Sequence, residues 1–128
     1  MAFTLEIATP ERLLVREEVS EVQIPGGSGY FGVLPEHAPL ISELKSGVLS
    51  YVTGGQTHVL AVLGGFVEVL PDKVRVLADE AKRKDEIDSV NSQRELDLAN
   101  GALSGAEDPD AALLLVERAQ ALVDAAKA

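Results

Sequence analysis

The sequence predicts a mixed fold in two parts: an N-terminal body of short antiparallel β-strands, built as a sandwich or barrel, and a C-terminal antiparallel two-helix hairpin. Three observations carry this. Between Phe3 and Ala78, Val-, Leu- and Ile-rich segments of strand length are broken by turn residues at short intervals. Beyond Ala78 the apolar spacing becomes helical. Charge divides at the same place: residues 1–84 hold 11 acids and 8 bases, net -3, whereas residues 85–128 hold 10 acids and 3 bases, net -7. The expected domains are therefore 1–84 and 85–128.

Taken in order, the strand-like segments are FTLEIA, LLVREEV, EVQIP, YFGVL, GVLSYVT, THVLAVL, FVEVL and KVRVLA. Thr9-Pro10-Glu11, Pro25-Gly26-Gly27, Gly54-Gly55, Gly64-Gly65 and Pro71-Asp72 punctuate them. In Phe66-Val67-Glu68-Val69 and Lys73-Val74-Arg75-Val76 the valines face one way and the charges the other. Such alternation marks antiparallel strands with one wet face. Gly54-Gly55 suits a two-residue hairpin turn, because glycine takes positive φ without a steric penalty.

The run DEAKRKDEID reads as a charged linker. Asp88 or Ser89 then caps a helix to about Ser104, with Leu96, Ala99 and Leu103 on one face. Asp108-Pro109 opens a second helix, to about Lys127: an acidic N-cap followed by proline at the first helical position. Ala112, Leu115, Ala119, Leu122 and Ala126 form a predicted seam for the first helix. Alanine-rich contacts bury little apolar area, so the hairpin is expected to be the less stable half.

The totals exclude several classes. Apolar residues make up 46% of the chain, enough for a packed core. Without cysteine there are no disulfides, thiolate metal sites or cysteine nucleophiles. No apolar run approaches the roughly 20 residues of a membrane span, and the N-terminus lacks the basic start of a secretory signal. A net charge of -10 argues against nucleic acid as a partner.

Nothing spells out catalysis. The two histidines, His37 and His58, form no metal-binding spacing. Ser28, in Pro25-Gly26-Gly27-Ser28-Gly29, reads as a turn residue, and no phosphate-binding loop is present. Adjacent carboxylates such as Glu17-Glu18 point to opposite faces of a strand or are solvated. A binding or coupling part is favoured over an enzyme. On the residues alone, a β-sandwich module for a small ligand is the alternative; a cupin-like metalloenzyme lacks the histidine pairs it needs.

GYFGVLPEHAPLISELKSGVL, AVLGGFVEVLPDKVRVLADEA and the following EID, in that order, resemble the epsilon subunit of the rotary F-type ATP synthase in its bacterial form. The likeness spans nearly the whole chain. It implies a ten-stranded β-sandwich followed by a helical hairpin, in a non-catalytic rotor subunit bound to the gamma subunit and resting on the ring of c subunits. It also implies a part in coupling proton-driven rotation to ATP synthesis, on the cytoplasmic face of the cell inner membrane. The hairpin is implied to meet the alpha and beta subunits and to restrain ATP hydrolysis.

The segment Ser28–Leu40 then corresponds to the family's rotor-contact region, with Ser28, Tyr30, Phe31, Leu34, Glu36, His37 and Pro39 as candidate contacts. Proline at 35 and 39 lowers the ordering cost of docking. Tyr30 stands where several members have an acid, so the c-ring contact is expected to be aromatic and apolar. In the tail, Ile87 and Asp88 match the first two residues of the nucleotide signature I-D-x-x-R-A, but Asn91 replaces its arginine and Ser92 its alanine. Asparagine lacks arginine's charged planar fork. Asp88 with Arg94, three residues beyond Asn91, is at most a weak nucleotide site, and no resident cofactor or metal is expected. Arg94, Arg118 and Lys127 are the tail's only bases, so its docking on an acidic segment of the beta subunit is expected to be poor.

Overall fold

A computed structural model describes residues 2–128. Ten strands come first: β1 (Phe3–Ala8), β2 (Leu13–Val19), β3 (Glu21–Gly26), β4 (Gly29–Val33), β5 (Leu40–Leu44), β6 (Gly47–Thr53), β7 (Gln56–Val62), β8 (Gly65–Leu70), β9 (Lys73–Ala78) and β10 (Ala81–Arg83). A 3-10 turn at Lys84–Glu86 leads to α1 (Ser89–Leu103) and α2 (Pro109–Lys127). The strands make one curled sheet in the order β10-β7-β6-β3-β5-β8-β9-β1-β2, with β4 paired to β3. It is the expected sandwich-like body followed by two helices.

The core lies inside the curl. Alternate residues of β1 (Phe3, Leu5, Ile7), β8 (Val67, Val69) and β9 (Val74, Val76) point into it and are almost wholly buried. Ile24, Leu44, Leu49 and Leu60 join them. Gly54 and Gly55 adopt φ of 57° and 76° in the β6–β7 turn, as a tight hairpin demands.

Three details depart from the sequence-based expectation. Leu40–Leu44 forms β5, a strand whose residues do not alternate simply between apolar and polar. The stretch expected to be a linker contains β10, paired antiparallel to β7 through Ala81↔Val62, and the 3-10 turn. β1 pairs with β9 in parallel, against the otherwise antiparallel pattern.

Both helices start at the expected caps. Asp88 accepts from the Val90 and Asn91 N–H groups, and Asp108 accepts from that of Ala111. Their packing departs from the predicted seam. Leu115 is 61% exposed. Of the predicted seam, Ala119 does meet Leu96 of α1, joined by Val116 and Val123, which the seam did not include. Ala121, Leu122 and Ala125 turn to the sheet and pack on Ala61 and Leu63 beside Val48, Val59 and Ile87. This explains the unbroken apolar run of β7. Leu60 and Val62 face the core while Ala61 lies under α2, so both faces of the strand are covered.

Candidate functional site: a partner-docking surface

The segment Ser28–Leu40 folds as the end of the β3–β4 hairpin, β4, and a proline-bracketed loop leading into β5. Ser28 lies exposed in the turn. Tyr30 follows, 61% exposed but with its hydroxyl tied down. Strand β3 stays with β6 only as far as Gln23↔Ser50 and reaches β5 at Gly26↔Leu44. Where it leaves β6, the Val48 N–H loses its strand partner and donates to the Tyr30 hydroxyl at 2.9 Å. Tyr30 thus seals the divergence of the sheet and leaves its side chain largely exposed.

The other candidates divide by burial. Phe31 points the opposite way along β4 and packs against the core. It supports the loop from beneath more than it offers contact area. Leu34 is 58% exposed. Glu36 and Pro39 are also exposed. Glu36 has φ of 66°, a left-handed conformation that costs a non-glycine residue about 1 kcal/mol. His37 is half-buried, its ring edge-on to Phe3 with centroids 5.7 Å apart. Its Nδ1 lies 3.3 Å from the Ala38 carbonyl. Its buried Nε2 has no hydrogen-bond partner among the described residues. The histidine braces the loop against β1 while Glu36 projects from it.

A second exposed surface is absent from the sequence-based candidates. Across the outer face of the sheet, Phe66 of β8 registers with Leu77 of β9, Leu77 with Ala8 of β1, and Ala8 with Leu13 of β2. Partners in register share a face, so these side chains form an apolar row across four strands. Phe66 is 62% exposed and Ile41, diagonal to it on β5, is 75% exposed. The next row is charged: Glu68 pairs with Arg75 at 3.3 Å, and Arg75 with Glu6 at 3.8 Å. Arg16 reaches Glu6 at 2.9 Å and Lys73 reaches it at 3.3 Å. Hydrogen bonds from Arg16 and Lys73 lower the pKa of the Glu6 carboxyl below its usual value. A contiguous apolar row with a fixed polar border is the anatomy of a protein interface. Its signal in the sequence was the position of Phe66, outward beside Glu68.

Residues 2–84 match the family described as "ATP synthase, Delta/Epsilon chain, beta-sandwich domain". This chain belongs to the ATP synthase epsilon family. The epsilon chain of Solibacter usitatus (strain Ellin6076) is 51% identical over 122 residues, covering 91% of this chain and 90% of the relative. That of Desulfitobacterium hafniense (strain Y51) is 39% identical over 127 residues, covering 98% and 96%. Among solved structures, a chain from the OSCP/F1/c-ring assembly of Euglena gracilis mitochondrial ATP synthase aligns with TM-score 0.83 and 25% identity, over 97% of this chain and 81% of that one. A chain from the central stalk/c-ring of the Tetrahymena thermophila enzyme shares the fold, with TM-score 0.69 at 12% identity over 97% and 96%. The resemblance read in the sequence is thereby established, helices included.

In this epsilon chain Asp88 and Arg94 do not converge on one cavity. Asp88 Oδ1 accepts from the Val90 and Asn91 N–H groups at 3.1 Å each, and Oδ2 takes the Asn91 amide at 3.2 Å. The carboxylate is spent on capping the helix. Arg94 lies on an exposed face of α1 with Val90, Gln93 and Asp97. A cavity of about 800 Å³ lies between body and hairpin beside Tyr51, His58 and Arg83. Tyr51 stacks on His58 with centroids 5.2 Å apart. Burial first, then nearby Glu17, pushes the Tyr51 hydroxyl up to about 12, so it stays protonated. The cations there are engaged: Arg83 donates to the Leu14 carbonyl and Lys84 to that of Ala128. Among the described residues no group of histidines and carboxylates is placed to hold a metal ion. No described helix is long and apolar enough to cross a membrane.

Proposed function

We propose that this epsilon chain is a non-catalytic rotor part held between the gamma subunit and the c-ring of a proton-translocating ATP synthase. In this reading the row of Phe66, Leu77 and Leu13, with Ile41, seats on gamma, and the end bearing Tyr30, Leu34 and Pro39 rests on the c-ring. The complex holds it peripherally at the cytoplasmic face of the cell inner membrane, where it helps couple rotation to ATP synthesis. The observation that carries the reading is the exposed apolar row, since a lone monomer has no use for Phe66 at 62% exposure beside Leu77 at 51%.

The test is the doubly substituted enzyme, Phe66→Asp with Leu77→Asp. Two carboxylates buried without partners should cost several kcal/mol of docking. Epsilon should no longer co-purify with gamma, and ATP hydrolysis should cease to pump protons efficiently. A variant that stays on the rotor and couples like the parent refutes the assignment.

The acidic hairpin is a weak restraint on hydrolysis in this reading, because Arg118, one of its three bases, is bound within the chain to Glu80 at 2.7 Å. Removing residues 86–128 should therefore change ATPase activity of the assembled enzyme less than about twofold, and a many-fold rise refutes this part. The same assembly tests contacts of the hairpin with the alpha and beta subunits.

A further inference from the structure

Helix α2 does more than cover β6 and β7. Near its start, Leu114 stands 63% exposed. It lines one cleft with Phe66, so the hairpin continues the apolar row of the sandwich. The cleft holds about 360 Å³, room for one apolar side chain. Gly64 and Gly65 form part of its lining. Gly65 has φ of +129°, and a Cβ there would come within 2.1 Å of the Leu77 carbonyl oxygen. Three carboxylate residues, Glu43, Asp79 and Glu117, and one lysine, Lys45, also line it.

We infer that this cleft is a composite docking site, half sandwich and half hairpin, for an apolar side chain flanked by a basic one on the shaft subunit. The inference rests on the assignment of the Phe66 row to gamma made above. Continuity of the cleft with that row, through Phe66 itself, selects the same partner. The excess of acidic over basic residues in its lining selects the basic flank. A shaft so bound grips sandwich and hairpin together, and it holds the hairpin down. By linkage, a hairpin held down binds the shaft more tightly, by the same factor.

The experiment is amide hydrogen exchange on the full chain, free and bound to purified gamma, together with the affinity of that complex. In the parent protein, gamma should slow exchange along α2 about tenfold, the scale expected from burying part of one leucine. Leu114→Ala should abolish that slowing and weaken binding by a similar factor. Leu115→Ala, equally exposed but outside the cleft, should do neither. The inference is overturned if gamma leaves exchange in α2 unchanged, or if Leu114→Ala behaves as the parent. Phe66→Ala separates the two claims. Unchanged gamma binding there refutes the assignment of the row, whereas weakened binding with no effect of Leu114→Ala refutes the composite cleft alone.

Discussion

Replacing Leu122 with alanine should loosen the hairpin and leave the sandwich untouched. Leu122 is 5% exposed and is the largest side chain that α2 puts on the sheet. Its neighbours there include Ala61, Ala121 and Ala125, which supply little apolar area of their own. Truncation removes three carbons, worth about 2.4 kcal/mol at ~0.8 kcal/mol per buried methylene. Core leucine-to-alanine changes cost about 2–5 kcal/mol, and a site between small residues at the edge of two units should relax toward the lower end. If the hairpin opens as its own unit, the loss falls on that opening alone. Exchange of α2 amides should then accelerate roughly 50-fold, since each 1.4 kcal/mol is a factor of ten. Amides of Leu5, Val67 and Val74, in strands of the main core, should exchange as before. Equal acceleration in those strands would mean that body and hairpin unfold together, and the division near residue 84 would be wrong. No acceleration anywhere would mean that Leu122 does not hold the hairpin.

Tyr30→Phe should leave the ring but orphan the Val48 N–H, costing about 1 kcal/mol of stability in a urea melt. Docking on the rotor should be kept if the contact is apolar, so the parent's coupling with Tyr30→Phe and its loss with Tyr30→Ala is the expected pair of results. Glu86 is held at about 2, first by its hydrogen bond from Arg12 and then by the Arg83 N–H. That value is depressed from 4.5, so its stabilisation is complete above about pH 4.5 and is lost as pH falls toward 2. The pair is partly solvated, with side-chain exposures of 44% for Arg12 and 32% for Glu86, so screening keeps the effect small. Urea melts should show Glu86→Gln below the parent at pH 6 and the two converging by pH 2. Gly65→Ala combines a positive φ with a clash against the Leu77 carbonyl oxygen, and should cost about 3 kcal/mol or more, seen as loss of the folded baseline in a thermal melt.

Local chemistry in the sequence was enough for the helices and many of the strands. Asp88 and Asp108-Pro109 placed both helix starts, because a cap is a contact between residues two or three apart. The valines of β8 and β9 fixed which way those strands face, because side-chain direction follows from a period of two. The ordered blocks around GYFGVLPEHAPL and GGFVEVL sufficed for the family.

What depended on residues far apart in the chain came only with the tertiary structure. Β-strand β5 was hidden because Ile41 faces outward and Leu44 inward, and only pairing with β8 makes a strand of them. Helix α2 has apolar residues on more than one side, and the position of the sheet decides that Leu122 is buried and Leu115 bare. The row of Phe66, Leu77, Ala8 and Leu13 exists through the register of β8, β9, β1 and β2. A period names the outward positions of each strand; which of them become neighbours, and which stay uncovered, is set by hydrogen bonds between segments that the period does not link.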